Sequence, residues 1–246
     1  MRAVGIDIGG SHAVCAVVED QRILAAESLP VGGTSCLAGL LPALAANAAR
    51  LLELCGLTAG GCDGVAVSFP GIVDPFAGRI LSTPEGKYDD AGLLDLGRWS
   101  RECFGLPLRI ENDVRMALLG ERYCGAVQGC DDAVMVTLGT GVGGAVLAGG
   151  RLFRGKHLQA GFGGHLPVLF HGRACICGSR GCVEAEASTW ALPEICRAWP
   201  DQVLPFLEQY IHVHAWTPWG KVRVLPAAMG PDAGLLGAVP LLAEPC

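Results

Sequence analysis

Residues 3–18 read AVGIDIGGSHAVCAVV, two short hydrophobic runs on either side of a glycine turn, Gly9-Gly10-Ser11. A third run follows at Arg22–Leu29, and three short runs separated by turn residues predict an antiparallel meander. Glycine lets the backbone approach a ligand closely, so that its N–H groups can face the ligand. The first turn is therefore a candidate phosphate site, with the Ser11 hydroxyl beside it and the Asp7 carboxylate placed to hold magnesium through water.

A second glycine turn, TLGTGVGG at residues 137–144, joins two further predicted strands, Ala133–Leu138 and Val142–Leu147. A plain hairpin explains either turn alone, whereas two turns at matching places favour phosphate binding. No Gly-Lys-Ser/Thr follows either turn, and each leads into a strand, which excludes a P-loop and a dinucleotide-binding fingerprint. The residues expected to hold the nucleotide phosphates and magnesium are Asp7, Gly9, Gly10, Ser11, Thr137, Gly139, Thr140, Gly141 and Gly143.

The remaining hydrophobic patterns alternate between helices and strands. They predict helices over Cys36–Leu57, Leu93–Phe104, Val114–Cys124, Glu184–Trp199, Val203–Tyr210 and Gly234–Ala243, and strands over Gly64–Phe69, Leu106–Ile110 and Val222–Leu225. This order resembles two related α/β halves. A ligand-binding cleft is expected between two such halves.

Composition restricts the class of protein. The chain has 246 residues, of which 51% are hydrophobic, enough for one large or two modest domains. Its net charge of -6, without a basic run, argues against nucleic-acid binding. No apolar stretch approaches bilayer length and the N-terminus does not read as a signal peptide, so a soluble cytoplasmic protein without membrane contact is expected. The 12 cysteines are then expected to be reduced.

Asn112-Asp113 stands between a predicted strand and a predicted helix. Both residue types favour the N-cap of a helix, which explains the pair without any function. The functional alternative is that Asp113 acts as a general base and Asn112 orients the substrate beside it. Phosphoryl transfer from ATP to an alcohol needs phosphate-binding groups, magnesium and such a carboxylate, and the sequence offers all three.

Three cysteines occur within eight residues, Cys175-x-Cys177-x4-Cys182, with His165 ten residues before them. A Cys3His set has the ligand types and compactness of a closed, structural zinc site. Free thiols or a short disulfide are the alternatives, and His157 and His171 are alternative ligands. A metal here would stiffen the loop that carries Glu184.

Together these motifs resemble the ROK family of sugar kinases, over nearly the whole chain from Val4 to about Ala243. The resemblance rests on the two glycine turns, Glu111-Asn112-Asp113, Gly164-His165 and Cys-x-Cys-Gly-x-x-Gly-Cys-x-Glu. It implies an α/β, actin-like ATPase fold with two ribonuclease-H-like lobes, each a mixed sheet flanked by helices. The lobes would comprise residues 1–112 and 113–232, the second shortened, followed by a closing helix over 233–246.

The resemblance also implies roles for individual residues. ATP and Mg²⁺ would bind in the cleft, and Asp113 would take the proton from a hydroxyl of a hexose or amino-hexose. A homodimer is expected. Family repressors carry a DNA-binding segment before the first glycine turn, for which Asp7 leaves no room, so no nucleic-acid partner is expected. The residues that match sugar contacts are Gly71, Asn112, Asp113, His165 and Glu184, and those that match zinc ligands are His165, Cys175, Cys177 and Cys182.

Three departures from the family pattern matter. Phe162 stands where many members have a glutamate that binds sugar hydroxyls, and Ser11-His12 stands where Thr-Lys is common. A helix–strand–turn unit that packs on adenosine is missing before the last strand. Its loss is expected to uncover apolar surface, with Trp216 and Trp219 as candidates.

These departures leave two main hypotheses. The first is an ATP-dependent sugar kinase with Asp113 as general base. The second is a kinase relic that binds sugar and has lost nucleotide affinity. A purely structural, zinc-stabilised interaction module is a third, weaker hypothesis, because scaffolding needs neither Asn112-Asp113 nor the phosphate turns.

Overall fold

The computed structural model of the chain describes residues 1–31, 36–84, 86–189, 203–214 and 222–245. The strands are β1 Arg2–Ile8, β2 His12–Glu19, β3 Arg22–Pro30, β4 Gly64–Phe69, β5 Ile72–Asp74, β6 Arg79–Ser82, β7 Leu108–Asn112, β8 Ala133–Leu138, β9 Val142–Ala148 and β10 Arg151–Leu152. The helices are α1 Leu41–Leu54, α2 Leu96–Phe104, α3 Asp113–Cys124, α4 Val183–Ala187, α5 Val203–His214, α6 Ala233–Leu236 and α7 Ala238–Ala243.

A five-stranded mixed sheet has the order β3-β2-β1-β4-β7. Strands β1, β2 and β3 pair antiparallel, which confirms the meander predicted from the first turn. Strands β4 and β7 continue the sheet in parallel, so β1, β4 and β7 end at the same edge. This edge carries Asp7, Ser68 and Asn112. Strands β10, β9 and β8 form a second sheet, and β5 pairs with β6.

Both faces of the five-stranded sheet are buried. Alternate residues of β1 point to opposite faces, so Val4 and Ile6 join one hydrophobic core while Ala3 joins the other. Helices α1 and α2 contribute to the first core, and helices α3, α6 and α7 contribute to the second. The sheet is thus covered by helices on each side, which is why its central strands are almost wholly apolar.

By packing, the chain divides into two compact units. Unit 1 comprises residues 1–135, 145–161 and 229–246, and unit 2 comprises residues 136–144 and 162–228. Unit 1 holds the five-stranded sheet and its helices. Unit 2 holds the second glycine turn, the cysteine loop, α4 and α5. The lobe boundaries expected at residues 112 and 232 stay a prediction.

Several predicted helices begin or end elsewhere. Helix α1 begins at Leu41 and not at Cys36, because Leu37–Leu40 form a turn whose N–H groups at Leu37 and Ala38 are accepted by the Asp90 carboxylate. Helix α2 begins at Leu96, where the Asp95 side chain accepts the Arg98 N–H. The predicted closing helix is two short helices that meet at Gly237, where a Cβ would lie 2.1 Å from the Met116 carbonyl oxygen.

In the last quarter of the chain, one predicted strand is wrong and one predicted helix is described only in part. Val222–Leu225 is not a strand, because none of the described residues forms a ladder with it, and the Val222 carbonyl instead faces a ring nitrogen of His212. The predicted helix Glu184–Trp199 is helical as α4, ends at Ala187, and from residue 190 lies outside the described residues. Trp216 and Trp219 also lie outside them. No helix in the described part of the chain is both long and apolar enough to span a bilayer.

Candidate functional site

The first glycine turn closes the hairpin between β1 and β2. The Gly9 N–H donates to the His12 carbonyl at 2.9 Å, and a Cβ on Gly9 would lie 2.8 Å from that same oxygen. Only glycine therefore fits position 9 without a shift of the backbone. Within the described ranges, the N–H groups of Gly10 and Ser11 have no backbone acceptor. The turn can thus offer these two donors to an anion.

Two side chains that the sequence analysis did not single out hold this turn. The Tyr88 hydroxyl donates to the Gly9 carbonyl at 2.6 Å, and the Tyr88 ring is fully buried against Phe69. The Lys87 ammonium donates to the Gly10 carbonyl at 3.1 Å. Both contacts span more than 70 residues of sequence, so no local pattern indicates them.

Asn112 and Asp113 lie where β7 passes into α3. The Asn112 side-chain oxygen accepts the N–H groups of Val114 and Arg115, so Asn112 is the N-cap of α3. Its Nδ2 donates to the Gly71 carbonyl at 3.2 Å and to Asp113 Oδ1 at 2.8 Å. The capping explanation is therefore confirmed for Asn112, and the same side chain also orients the Asp113 carboxylate.

Gly71 lies in the loop that accepts the Asn112 side chain, at a position with no room for a larger residue. A Cβ at this position would lie 2.3 Å from the Ser82 carbonyl oxygen and 3.0 Å from the Phe69 ring. A larger residue would therefore displace the loop whose carbonyl receives the Asn112 amide. The structure thus brings Gly71, Asn112 and Asp113 together.

The pKa values of the Asp7 and Asp113 carboxylates are both raised in the folded chain. Burial raises the pKa of Asp113 to about 6, the negative charge of Asp7 adds to this, and hydrogen bonds from Val114 and Asn112 oppose it. Burial also raises the pKa of Asp7, against a hydrogen bond from Ser68 Oγ at 2.5 Å. A carboxylate with a pKa near neutrality can accept and release a proton at physiological pH.

A buried ion pair between Glu111 and Arg154 fixes the backbone just before Asn112-Asp113. Glu111 is fully buried, and its Oε2 accepts from Arg154 Nε at 2.6 Å while its Oε1 accepts the Asn112 N–H at 2.9 Å. Arg154 also pairs with Glu244 at 2.7 Å, and Arg115 donates to two backbone carbonyls of residues 158 and 160. Glu111 is recognisable in the sequence only as part of a motif, and no local pattern indicates Arg154.

In unit 2 the four predicted zinc ligands come together. The ligand atoms of His165, Cys175, Cys177 and Cys182 all lie within 4.8 Å of one another. Cys177 Sγ lies 3.7 Å from Cys182 Sγ, and Cys175 Sγ lies 3.6 Å from His165 Nδ1. Zinc–sulfur bonds of ~2.3 Å in a tetrahedron place two sulfurs ~3.8 Å apart, so the cluster fits zinc. All four side chains would be used, as in a structural site.

Of the two alternatives to zinc, the short disulfide receives no support from the geometry, whereas free thiols stay an alternative. Cys175, Cys177 and Cys182 are unbridged. The cluster includes His165, and neither His157 nor His171 joins a metal-binding group among the described residues. His165 directs Nδ1 to Cys175, which leaves Nε2 for another partner.

The second glycine turn is held by Glu184. One carboxylate oxygen of this buried residue accepts the Val142 N–H at 3.0 Å, and a Cβ on Gly141 would lie 2.5 Å from it. The Thr189 N–H donates to the Gly139 carbonyl at 2.9 Å. Glu184 thus supports the turn at residues 137–144, and its assignment as a sugar contact stays a prediction.

The model of the ROK family matches residues 3–205, and the chain belongs to this family. The DNA-binding transcriptional dual regulator NagC of Escherichia coli K12 is 33% identical over 132 residues, which are 53% of this chain and 31% of that protein. The chain therefore covers about a third of the length of the curated relatives it matches. Because that relative is named as DNA-binding, the expected absence of a nucleic-acid partner stays a prediction.

Two solved structures resemble the chain over almost their full length. The ROK family glucokinase of Streptomyces griseus, solved with glucose and AMPPNP, has a TM-score of 0.78 at 25% identity and covers 98% of this chain and 99% of its own. The ROK hexokinase of Thermus thermophilus has a TM-score of 0.75 at 26% identity, with 98% of each chain covered. These similarities confirm the mixed α/β, actin-like ATPase fold. The shortening of the second lobe stays a prediction.

Proposed function

We propose that the chain is an ATP-dependent sugar kinase that phosphorylates a hydroxyl group of a hexose or amino-hexose. The observation that carries the proposal is the Asp113 carboxylate, whose pKa is about 6 and which Asn112 orients at the end of β7. It lies in the same unit as the first glycine turn and Asp7. Membership of a family with kinase structures supports the same reaction.

The hydrogen bonds of Asp113 indicate which oxygen acts as the base. Oδ1 accepts from the Val114 N–H at 2.9 Å and from Asn112 Nδ2 at 2.8 Å. In the described part of the chain Oδ2 has no such donor, so Oδ2 would take the proton from the sugar hydroxyl. The hydroxyl oxygen would then bond to the γ-phosphorus of ATP as the bond from that phosphorus to the β-phosphate oxygen breaks and ADP leaves. Asn112 and Val114 hold the carboxylate in place during the transfer.

The nucleotide would be held by backbone donors of the first turn and by the residues proposed for the second turn, Thr137, Gly139, Thr140, Gly141 and Gly143. When bound, Mg²⁺ neutralises phosphate charge, and Asp7 is the carboxylate proposed to hold it through water. His165 and Glu184 remain proposed sugar contacts, and His165 keeps Nε2 available for a hydroxyl while Nδ1 faces the zinc-ligand cluster. Zn²⁺ would act there as a structural ion.

The test is Asp113→Asn, assayed with ATP and a panel of hexoses and amino-hexoses. We expect kcat to fall about a thousandfold with little change in sugar KM, because the base is lost while its hydrogen-bonding shape is kept. In the unaltered protein, kcat/KM should fall tenfold per pH unit below about 6, as Asp113 becomes protonated. Glu102→Gln, which removes an exposed carboxylate of α2, is the control. An Asp113→Asn protein with normal kcat would remove Asp113 from this role.

Stability measurements separate catalysis from folding in this variant. The folded-state pKa of Asp113 lies above the ordinary value of 3.8, so its stabilising contribution is complete below pH 3.8 and is lost as pH rises through about 6. Asparagine does not ionise, so Asp113→Asn should be more stable than the parent by about 2 kcal/mol at pH 7.5. At pH 4 the two should unfold alike. A less stable variant at pH 7.5 would assign the lost activity to misfolding.

The second candidate function is sugar binding without phosphoryl transfer. The similarity to named repressors and the presence of Phe162 at a usual sugar-binding position favour it. Calorimetry with hexoses and with MgATP separates the two functions. Sugar binding without nucleotide binding would establish the relic, and binding of both with turnover would establish the kinase.

A further inference from the structure

Lys87 places a positive charge directly at the first glycine turn. It lies on an exposed segment, and its Nζ is 3.1 Å from the Gly10 carbonyl oxygen, 77 residues away in sequence. A Cβ added to Gly10 would lie 2.6 Å from this Nζ. A side chain at position 10 would therefore displace the flexible end of Lys87.

The segment that carries Lys87 is anchored by the next residue. Tyr88 is fully buried, and its hydroxyl donates to the Gly9 carbonyl at 2.6 Å. Gly86, just before this pair, has a φ of +71, in the left-handed region that favours glycine. A flexible lysine beside a fixed tyrosine is held near the turn without being held rigidly.

The ammonium group has capacity for a further acceptor. Lysine has three N–H donors, of which the Gly10 carbonyl takes one. Over the described ranges no carboxylate lies within ion-pair distance of Lys87. The turn contains no lysine, and the side chains of Ser11 and of His12, the first residue of β2, lie 2.9 Å apart.

We infer that Lys87 contacts the phosphate chain of the nucleotide and supplies the cation that the first turn's own sequence lacks. The inference rests on the proposed kinase function. The free N–H groups of Gly10 and Ser11 would act beside it as neutral donors, and the lysine would add a charge-assisted hydrogen bond. A lysine serves phosphate as a mobile point charge, which suits its exposed position.

The experiment is calorimetric titration of the whole protein with MgATP, and in parallel with adenosine, which has no phosphate. Lys87→Ala should weaken MgATP binding about tenfold, the lower range for a hydrogen bond from a charged group. It should leave adenosine affinity unchanged and flatten the salt dependence of MgATP binding. Lys87→Arg should stay close to the parent. Lys156→Ala, which removes another exposed lysine of unit 1, is the matched control.

A second variant distinguishes charge from simple support of the turn. In Lys87→Ala/His12→Lys the positive charge returns from the residue that follows the turn, and MgATP affinity should recover most of its loss. Equal weakening of adenosine and MgATP, or no recovery in the double variant, would overturn the inference in favour of a bracing role. Parent-like MgATP binding by Lys87→Ala would overturn it while leaving the kinase intact. A parent protein that neither binds MgATP nor phosphorylates sugars would overturn the proposed function itself.

Discussion

The two glycine turns look alike in sequence but are held by groups of opposite charge. In the first turn, the Lys87 ammonium and the Tyr88 hydroxyl donate to carbonyls of the turn. In the second, the Glu184 carboxylate accepts the Val142 N–H. One turn is therefore supported by donors and a cation, and the other by an acceptor with negative charge.

This difference has a consequence for phosphate binding. An anion at the first turn would meet the N–H groups of Gly10 and Ser11 and the Lys87 ammonium. At the second turn a carboxylate oxygen lies so close that a Cβ on Gly141 would be 2.5 Å from it. We therefore expect the second turn to have less affinity of its own for a phosphate. Matching glycine patterns predict where backbone approaches a ligand, but the side chains that hold each turn decide what charge it favours.

The largest effect is expected from removing the metal proposed for the cysteine loop. Cys182 precedes α4, in which Glu184 is the second residue, so the metal would position the carboxylate that holds the second turn. Among the described residues, the hydrophobic cluster of this loop contains only Cys175, Cys182 and Ala185. A strong chelator should therefore speed hydrogen exchange at residues 139–142 and 163–188 more than about a hundredfold.

Unit 1 supplies the internal reference for that measurement, because amides of β1 and β4 lie in a large core and should keep their protection. Cys182→Ser should reproduce the effect of the chelator, and Cys103→Ser, which alters an exposed thiol of α2, should not. Unchanged protection at the cysteine loop in metal-free protein would contradict the zinc site. Loss of protection at the cysteine loop, with full protection kept at residues 139–142, would show that Glu184 holds the second turn without the metal.

A smaller effect is expected from the carboxylate itself. Glu184→Ala leaves the buried Val142 N–H without its acceptor and should lower the free energy of unfolding by about 2 kcal/mol. Glu184→Gln keeps an acceptor oxygen and should cost less than half of that. Glu208→Ala, at an exposed position of α5, is the matched control in denaturant titrations. Equal stability of Glu184→Ala and Glu208→Ala would mean that the Glu184 carboxylate does not hold the second turn, and the proposed difference between the two turns would be lost.

The sequence predicted the elements that depend on local patterns. The meander β1–β3, the capped start of α3 and the cysteine cluster follow from alternation, an N-cap residue and ligand spacing, each readable within about 30 residues. The start of α1 was wrong because Asp90, more than 50 residues away, accepts the N–H groups of the preceding turn. Val222–Leu225 alternates like a strand but has no partner strand among the described residues, and alternation cannot supply one.

Within the candidate site, sequence identified the residues that could do chemistry and missed those that hold them. Asp113 and Asn112 were recognisable from their types and their place after a strand. Lys87, Tyr88 and Arg154 were not, because each meets its partner across 43 to 79 residues and leaves no spacing signal. The pKa of Asp113 was equally beyond sequence, since it depends on burial in the folded chain and on the charge of Asp7.

The smallest effect on stability is expected from Tyr88→Phe, at the first turn. This change removes one hydroxyl that donates to the Gly9 carbonyl and keeps the ring packed against Phe69, with centroids 5.5 Å apart. It should cost about 1 kcal/mol and lower Tm by about 2–4 °C. Burial raises the pKa of Tyr88, so the hydroxyl stays a donor and the difference should be constant from about pH 6 to 9. Tyr210→Phe, at an exposed tyrosine of α5, should leave Tm unchanged.

Because no charge is lost, Tyr88→Phe should weaken MgATP binding less than Lys87→Ala does. The reverse order would mean that the turn binds phosphate through its shape, and that the opposite charges at the two turns have no bearing on the ligand.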